Sequence, residues 1–171
     1  MEIINPLCLN GEIELENYRY IVKEFSRLHH TLPKKAPITV CINSGGGQTS
    51  AGLGLYDMFK ETSKHRSLRA LVLGKAESMA AIILQAFPYR QVSTHSKVML
   101  HGTSVQFGSM SIGNALSALE DFRRLDECMA NIVAMRSGKS ADLISELMQQ
   151  DKHFTAEEAV SFGLADSVYG A

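Results

Sequence analysis

Three short segments of this 171-residue sequence carry residue types suited to nucleophilic acyl chemistry. The first is Gly45-Gly46-Gly47, after the β-branched run Ile38-Thr39-Val40-Cys41-Ile42. Consecutive glycines let backbone approach a ligand closely, with N–H groups free to donate. A tight strand-to-helix turn is the simpler reading of the same residues. A dinucleotide loop is excluded, because Ser50 stands where GxGxxG needs glycine. The second segment, Gly74-Lys75-Ala76-Glu77-Ser78-Met79-Ala80-Ala81, puts Ser78 at the start of an expected helix. Ser78 is then either a plain N-cap or a nucleophile. As a nucleophile it would set the attacked carbonyl oxygen at the helix N-terminus, where the dipole and the Met79 N–H stabilise negative charge. In the third, His101 directly follows the apolar Val98-Met99-Leu100 and precedes Gly102. His29, His30, His65 and His95 lie in polar or helix-end settings and are expected to be solvated. A Ser–His pair needs a carboxylate to orient the imidazole. Asp151 and Asp166 both qualify, and spacing alone does not choose between them.

The elements that must position these residues read as alternating strands and helices. Strands are expected at 6–9, 38–42, 68–73, 91–94 and 97–100, with Gly74 ending the third. Leu15, Tyr18, Val22, Phe25 and Leu28 recur at helical spacing, and Pro33 and Pro37 close that helix. Further helices are expected at 49–64 and 78–87. Residues 103–109 read as extended. The longest periodic run is Ile112, Leu116, Leu119, Phe122, Leu125, Met129, Ile132 and Val133, stopped near Gly138. Ser140 can cap a further helix, and Thr155 to Glu158 has the form of a capping box. Such alternation predicts an α/β fold with a mainly parallel sheet, and open α/β sheets bind ligands beyond the C-terminal ends of their strands. All three segments fall at such ends. The long helix after residue 110 exceeds what so small a domain can cover, so it is expected to project against another subunit.

Composition bounds the remaining classes. The chain is 45% hydrophobic and 20% charged with a formal net charge of -1, as in an ordinary soluble domain. Acids and bases are mixed, so no nucleic-acid or anionic-membrane surface is expected. No apolar run approaches the roughly 18–20 residues that span a bilayer. The N-terminus has no basic region followed by an apolar one, which argues against a secretory signal. Cys8, Cys41 and Cys128 show no metal-ligand spacing and are expected to be reduced, buried thiols in a cytoplasmic protein without metal or cofactor. Ser137-Gly138-Lys139-Ser140 hints at a phosphate loop, but Val133 occupies the position of its first glycine.

Taken together and in order, the segments resemble the proteolytic subunit of the Clp protease. Ile42 to Gly47 with Ala51-Gly52-Leu53 and Tyr56-Asp57 is similar to that family's INSPGG…AG…YD stretch. Gly74 to Ala80 is similar to its GxAxSMxA segment, Val98 to His101 to its histidine strand, and Glu158 to Asp166 to its EAxxxGLxD ending. The likeness implies the ClpP/crotonase-like α/β fold of repeated ββα units with a projecting handle helix. It implies one peptidase domain, with a head at about 1–102 and 150–171 and a handle at about 103–149. Carried over by position, Ser78 is the nucleophile, His101 the base and Asp151 the triad carboxylate. Gly47 and Met79 supply the oxyanion hole; Gly46, Gln48, Thr49, Thr103 and Val105 hold a substrate strand. The implied substrate is a peptide or unfolded protein, and the implied assembly is a homo-oligomer of heptameric rings, single or stacked.

The sequence also departs from that pattern. Gly45 replaces a proline, Glu77 a small residue, Gly102-Thr103 a Gln-Pro pair, and Gln149-Gln150 a charged pair that bridges the rings. Little chain precedes the first core strand, so axial loops that would engage a Clp-type AAA+ unfoldase are not expected. These departures motivate an alternative, a catalytically silent or partner-dependent ring subunit. A crotonase-type acyl-CoA enzyme would not need Ser78, His101 and Asp151 together, and a Ser–Lys peptidase using Lys75 or Lys97 would leave His101 without a role.

Overall fold

A computed structural model describes residues 3–104, 108–109 and 111–170. The chain runs β1 (Pro6–Asn10), α1 (Leu15–Thr31), β2 (Ile38–Ser44), α2 (Thr49–Thr62), β3 (Leu68–Glu77) and α3 (Met79–Leu84). It continues with β4 (Tyr89–Ser93), β5 (Lys97–Leu100), α4 (Ile112–Ser137), α5 (Ala141–Gln149), β6 (Lys152–Phe154), α6 (Ala156–Phe162) and β7 (Ser167–Tyr169). Strands β1, β2, β3, β4 and β7 lie side by side in that order, every pair parallel. Central β2 and the first half of β3 are buried apolar runs, as strands covered on both faces require.

Strand β3 is used twice. Residues 69–72 pair with β4, whereas 75–77 pair with residues 97–99 of β5. Between the halves the register slips: Ile42 faces Val72 but Ser44 faces Ala76, two residues of β2 against four of β3. Gly74 makes the slip possible with a φ of 110°, and a Cβ there would fall 2.6 Å from Asn43 Oδ1. The strand therefore passes through Gly74 instead of ending there, and it delivers Ser78 four residues beyond the expected stop. Helix α3 is shorter than the expected 78–87, because Gln85, Ala86 and Phe87 close it with N–H bonds to residues three back. Strands β6 and β7, three residues each, were too short to carry a readable period. Pairing makes β6 a strand: it runs antiparallel to β5, with Leu100 opposite Lys152.

The core fills the space between the sheet and the helices. Phe25 of α1, Phe59 of α2 and Phe87 form its aromatic spine, with ring centroids 5.1 and 5.0 Å apart. Ser140 caps α5, Thr155 and Glu158 form the expected capping box, and Gly138 ends α4 in the left-handed conformation. Helix α4 buries Met129, Ala130, Ile132 and Val133 in its second half, while Ile112, Leu116 and Leu119 in its first half are exposed. Of the cysteines only Cys41 is buried, its thiol pushed up to about 11 by burial; Cys8 and Cys128 are exposed, contrary to expectation. Among the described residues, no helix is long and apolar enough to cross a membrane.

Asp166 belongs to this framework. Its carboxylate accepts from the Arg90 backbone N–H at 2.7 Å and from the Arg90 guanidinium at 2.7 Å, joining the start of β4 to the entry of β7. Burial opposes ionisation of Asp166, but the bonds from Arg90 outweigh it and hold the carboxyl below its usual range. A carboxyl depressed in the folded state contributes stability that is present above the unfolded value, about 4, and is lost as pH falls through the folded one. Urea midpoints should therefore drop as pH is lowered below about 4, and Asp166→Asn should show a shallower drop. Phe59→Ala should cost about 3–5 kcal/mol in urea unfolding, since it empties the middle of the aromatic spine.

Candidate active site

Ser78 follows β3 directly and occupies the N-cap position of α3, yet its side chain caps nothing. Its backbone sits at φ 55°, ψ -128°, a region that costs a residue with a Cβ on the order of 1–3 kcal/mol. The surroundings enforce this conformation. The Ser78 N–H donates to Met99 O at 3.0 Å, and the Ser78 carbonyl accepts from Ala81 N–H at 2.9 Å. The turn thus leaves the hydroxyl unused by the helix it begins.

A cleft of about 590 Å³ opens beside it, lined by Gly46, Gly47, Ser78, Met79, His101 and Thr103 among others. The glycine loop touches the serine turn so closely that a Cβ on Gly46 would lie 2.6 Å from Ser78 Cβ and 3.0 Å from Met79 N. Ile13 pins this loop from behind: its N–H donates to Gly46 O at 2.7 Å and its carbonyl accepts from Gln48 N–H at 2.8 Å. Among the described residues, neither the Gly47 nor the Met79 N–H has an acceptor. Two free donors at a helix N-terminus suit an oxyanion.

His101 is the first residue past β5. The antiparallel β5–β6 pair, Leu100 opposite Lys152, places Asp151 across from it. Their nearest atoms, His101 Nδ1 and Asp151 Oδ1, are 3.8 Å apart, longer than a hydrogen bond. Asp151 is 72% exposed in its side chain and has a φ of 49°. Asp166, the rival by spacing, is occupied by Arg90.

Of the residues expected to hold a substrate strand, Gly46, Thr49 and Thr103 line the cleft. Gly46 already donates its N–H to Ser44 Oγ at 3.1 Å, and Gln48 spends its own N–H on Ile13. Val105 lies outside the described residues.

Two features were missed in the sequence. Glu77, beside Ser78, is not a bare charge: its carboxylate accepts from Lys75 Nζ and Lys97 Nζ, each at 2.9 Å. Burial opposes its ionisation, but the two ammonium groups outweigh it and keep the carboxyl below its ordinary range. Lys97 begins β5, so this bridge also ties the serine strand to the histidine strand. Gly45 leaves room for it, since a Cβ there would lie 3.2 Å from Lys75 Nζ. The second is Asp126, which accepts from Thr103 beside His101. A signal existed, because Phe122, Asp126, Met129 and Val133 share one helical face and a carboxylate on an apolar face needs a partner.

Comparison with known proteins bears on the whole chain. The family model described as Clp protease matches residues 4–171. Clp protease proteolytic subunit 3 of Rhodococcus jostii (strain RHA1), described as ATP-dependent, is 30% identical over 164 residues, 95% of this chain and 79% of its own. Subunit 4 of the same organism is 34% identical over 136 residues, 78% of this chain and 69% of its own. The ATP-dependent Clp protease proteolytic subunit of Chaetosphaeridium globosum is 29% identical over 137 residues, 79% of this chain and 67% of its own. A match of this extent, on a fold that brings the serine, histidine and glycine-loop segments to one cleft, makes the chain a member of the Clp protease family.

Proposed function

We propose that the protein is a serine endopeptidase that cleaves peptides or unfolded polypeptides. The observation that carries this reading is the strained Ser78, whose hydroxyl serves no cap and opens onto the cleft shared with His101. In the first step Ser78 Oγ attacks the peptide carbonyl carbon while His101 Nε2, the ring nitrogen away from Asp151, takes the hydroxyl proton. The carbonyl π pair moves onto oxygen, which the Gly47 and Met79 N–H groups receive. The C–N bond breaks, the leaving amine takes the proton from His101, and an acyl-enzyme remains. Water repeats the sequence and releases the acid. Asp151 orients the imidazole, closing on it from 3.8 Å when substrate fills the cleft.

The exposed row Ile112, Leu116 and Leu119 on α4 is the surface of a handle that packs against further copies, in heptameric rings, single or stacked. On this reading the chain is one peptidase domain, its head at about 1–102 and 150–171 and its handle at about 103–149. Three unpaired thiols are in keeping with a reducing compartment, the cytosol.

The long His101–Asp151 separation and the exposure of Asp151 favour a second reading, a subunit that turns over substrate only with a partner subunit. Peptide turnover by the purified chain alone separates the two, since partner dependence predicts none until mixing. A fluorophosphonate should label Ser78, seen by peptide mass spectrometry, and Ser78→Ala should abolish the label and lower kcat by on the order of 10⁶. A folded oligomer that takes no label sinks the peptidase reading. Leu116→Asp should shift the assembly to smaller species in native mass spectrometry.

A further inference from the structure

We propose that Asp126 is a positioning residue that holds the segment carrying His101, acting through Thr103. The inference rests on the peptidase reading above. His101 stands where β5 has ended, and among the described residues no strand residue pairs with positions 101–104. Its backbone must be held by something other than the sheet. Two tethers do so, and both come from the helices. The Gly102 N–H donates to Met148 O of α5 at 3.1 Å. The Thr103 N–H and hydroxyl both donate to Asp126 Oδ1 of α4, at 2.8 and 2.7 Å.

The second tether is the stronger. A carboxylate accepting from two donors of one residue fixes both that residue's backbone and its rotamer, and charge-assisted bonds are about twice as strong as neutral ones. Asp126 is committed to this task, because among the described residues no Lys, Arg or His pairs with it. It lies one turn before Met129 and Ala130, where α4 is buried, so its own position is set by core packing. Gly102 admits the carboxylate: a Cβ there would lie 3.1 Å from Asp126 Oδ2. The Gly102-Thr103 pair and Asp126 therefore form one unit, with a small residue for clearance, a double donor and a double acceptor. Its effect is to seat His101 against Ser78 from the helix side, as the β5–β6 pair seats Asp151 from the sheet side.

The test uses the purified protein in four forms: wild type, Asp126→Ala, Asp126→Asn and Thr103→Val. Asp126→Ala should lower kcat about 10- to 100-fold with KM within about twofold, the scale of a misplaced catalytic group. Asp126→Asn keeps an oxygen acceptor for both donors and should restore kcat to within about threefold, while Thr103→Val should fall between. Hydrogen exchange of the peptide spanning 101–104 should accelerate in Asp126→Ala and stay slow in Asp126→Asn. Unchanged kcat in Asp126→Ala overturns the proposal. So does an Asn variant as impaired as Ala whose exchange at 101–104 stays slow, which would make the negative charge, and not the tether, the requirement. Should Asp126→Ala fail to fold, Thr103→Val decides alone, and full kcat with unchanged exchange overturns the proposal. A wild type that neither labels at Ser78 nor cleaves peptide sinks the peptidase reading instead, and exchange still reports whether Asp126 holds the segment.

Discussion

Everything at the cleft depends on one strand serving two neighbours. β3 gives its first half to β4 and its last residues to β5, so the end of a single ten-residue strand lies flush with the end of another. Parallel pairing sends both chain ends to the same sheet edge, which is why Ser78 and His101 emerge side by side. The register slip at Gly74 is what lets β3 turn from one partner to the other. A straight strand would have kept its pairing with β4 throughout, and the serine would have emerged away from the histidine.

The site stores strain where the chemistry needs exposure. Ser78 is held at a positive φ because its N–H is bonded to β5 and its carbonyl starts α3, so neither flank can relax. The glycine loop fills the space above it so tightly that only hydrogen fits at Gly46. Among the described residues the Gly47 N–H is left over because the groups beside it are taken by Ile13 and Ser44, and the Met79 N–H because it opens α3. Donors kept free by committing their neighbours cost no reorganisation when charge develops.

Charge around Ser78 follows the same pattern. A carboxylate next to Ser78 would oppose an oxyanion, but Glu77 is spoken for by two ammonium groups and serves as a clasp between β3 and β5. The clasp is only partly shielded from water, with Lys75 and Lys97 side chains 43% and 52% exposed, so its energetic weight is small beside the strand pairing. Gly45 and Glu77, which look like separate departures from the family pattern, are one arrangement in space: the missing side chain at 45 is where Lys75 reaches Glu77.

By itself the sequence determined the α/β order of elements, the three strand-end segments and the family likeness, because these rest on short-range period and on residues close in the chain. The caps at Ser140 and Thr155 were legible for the same reason. Spacing left Asp151 and Asp166 open, the family likeness pointed to Asp151, and only tertiary structure shows which of the two lies near His101. Asp151 is brought to 3.8 Å from His101 by a three-residue strand too short for any period, which exists because β5 pairs with it, while Arg90, 76 positions from Asp166, takes the other carboxylate. Nor could local pattern show whether Ser78 caps its helix or strains away from it, because the same residue types serve both. Long-range hydrogen bonds settle that question, and they have no local signature.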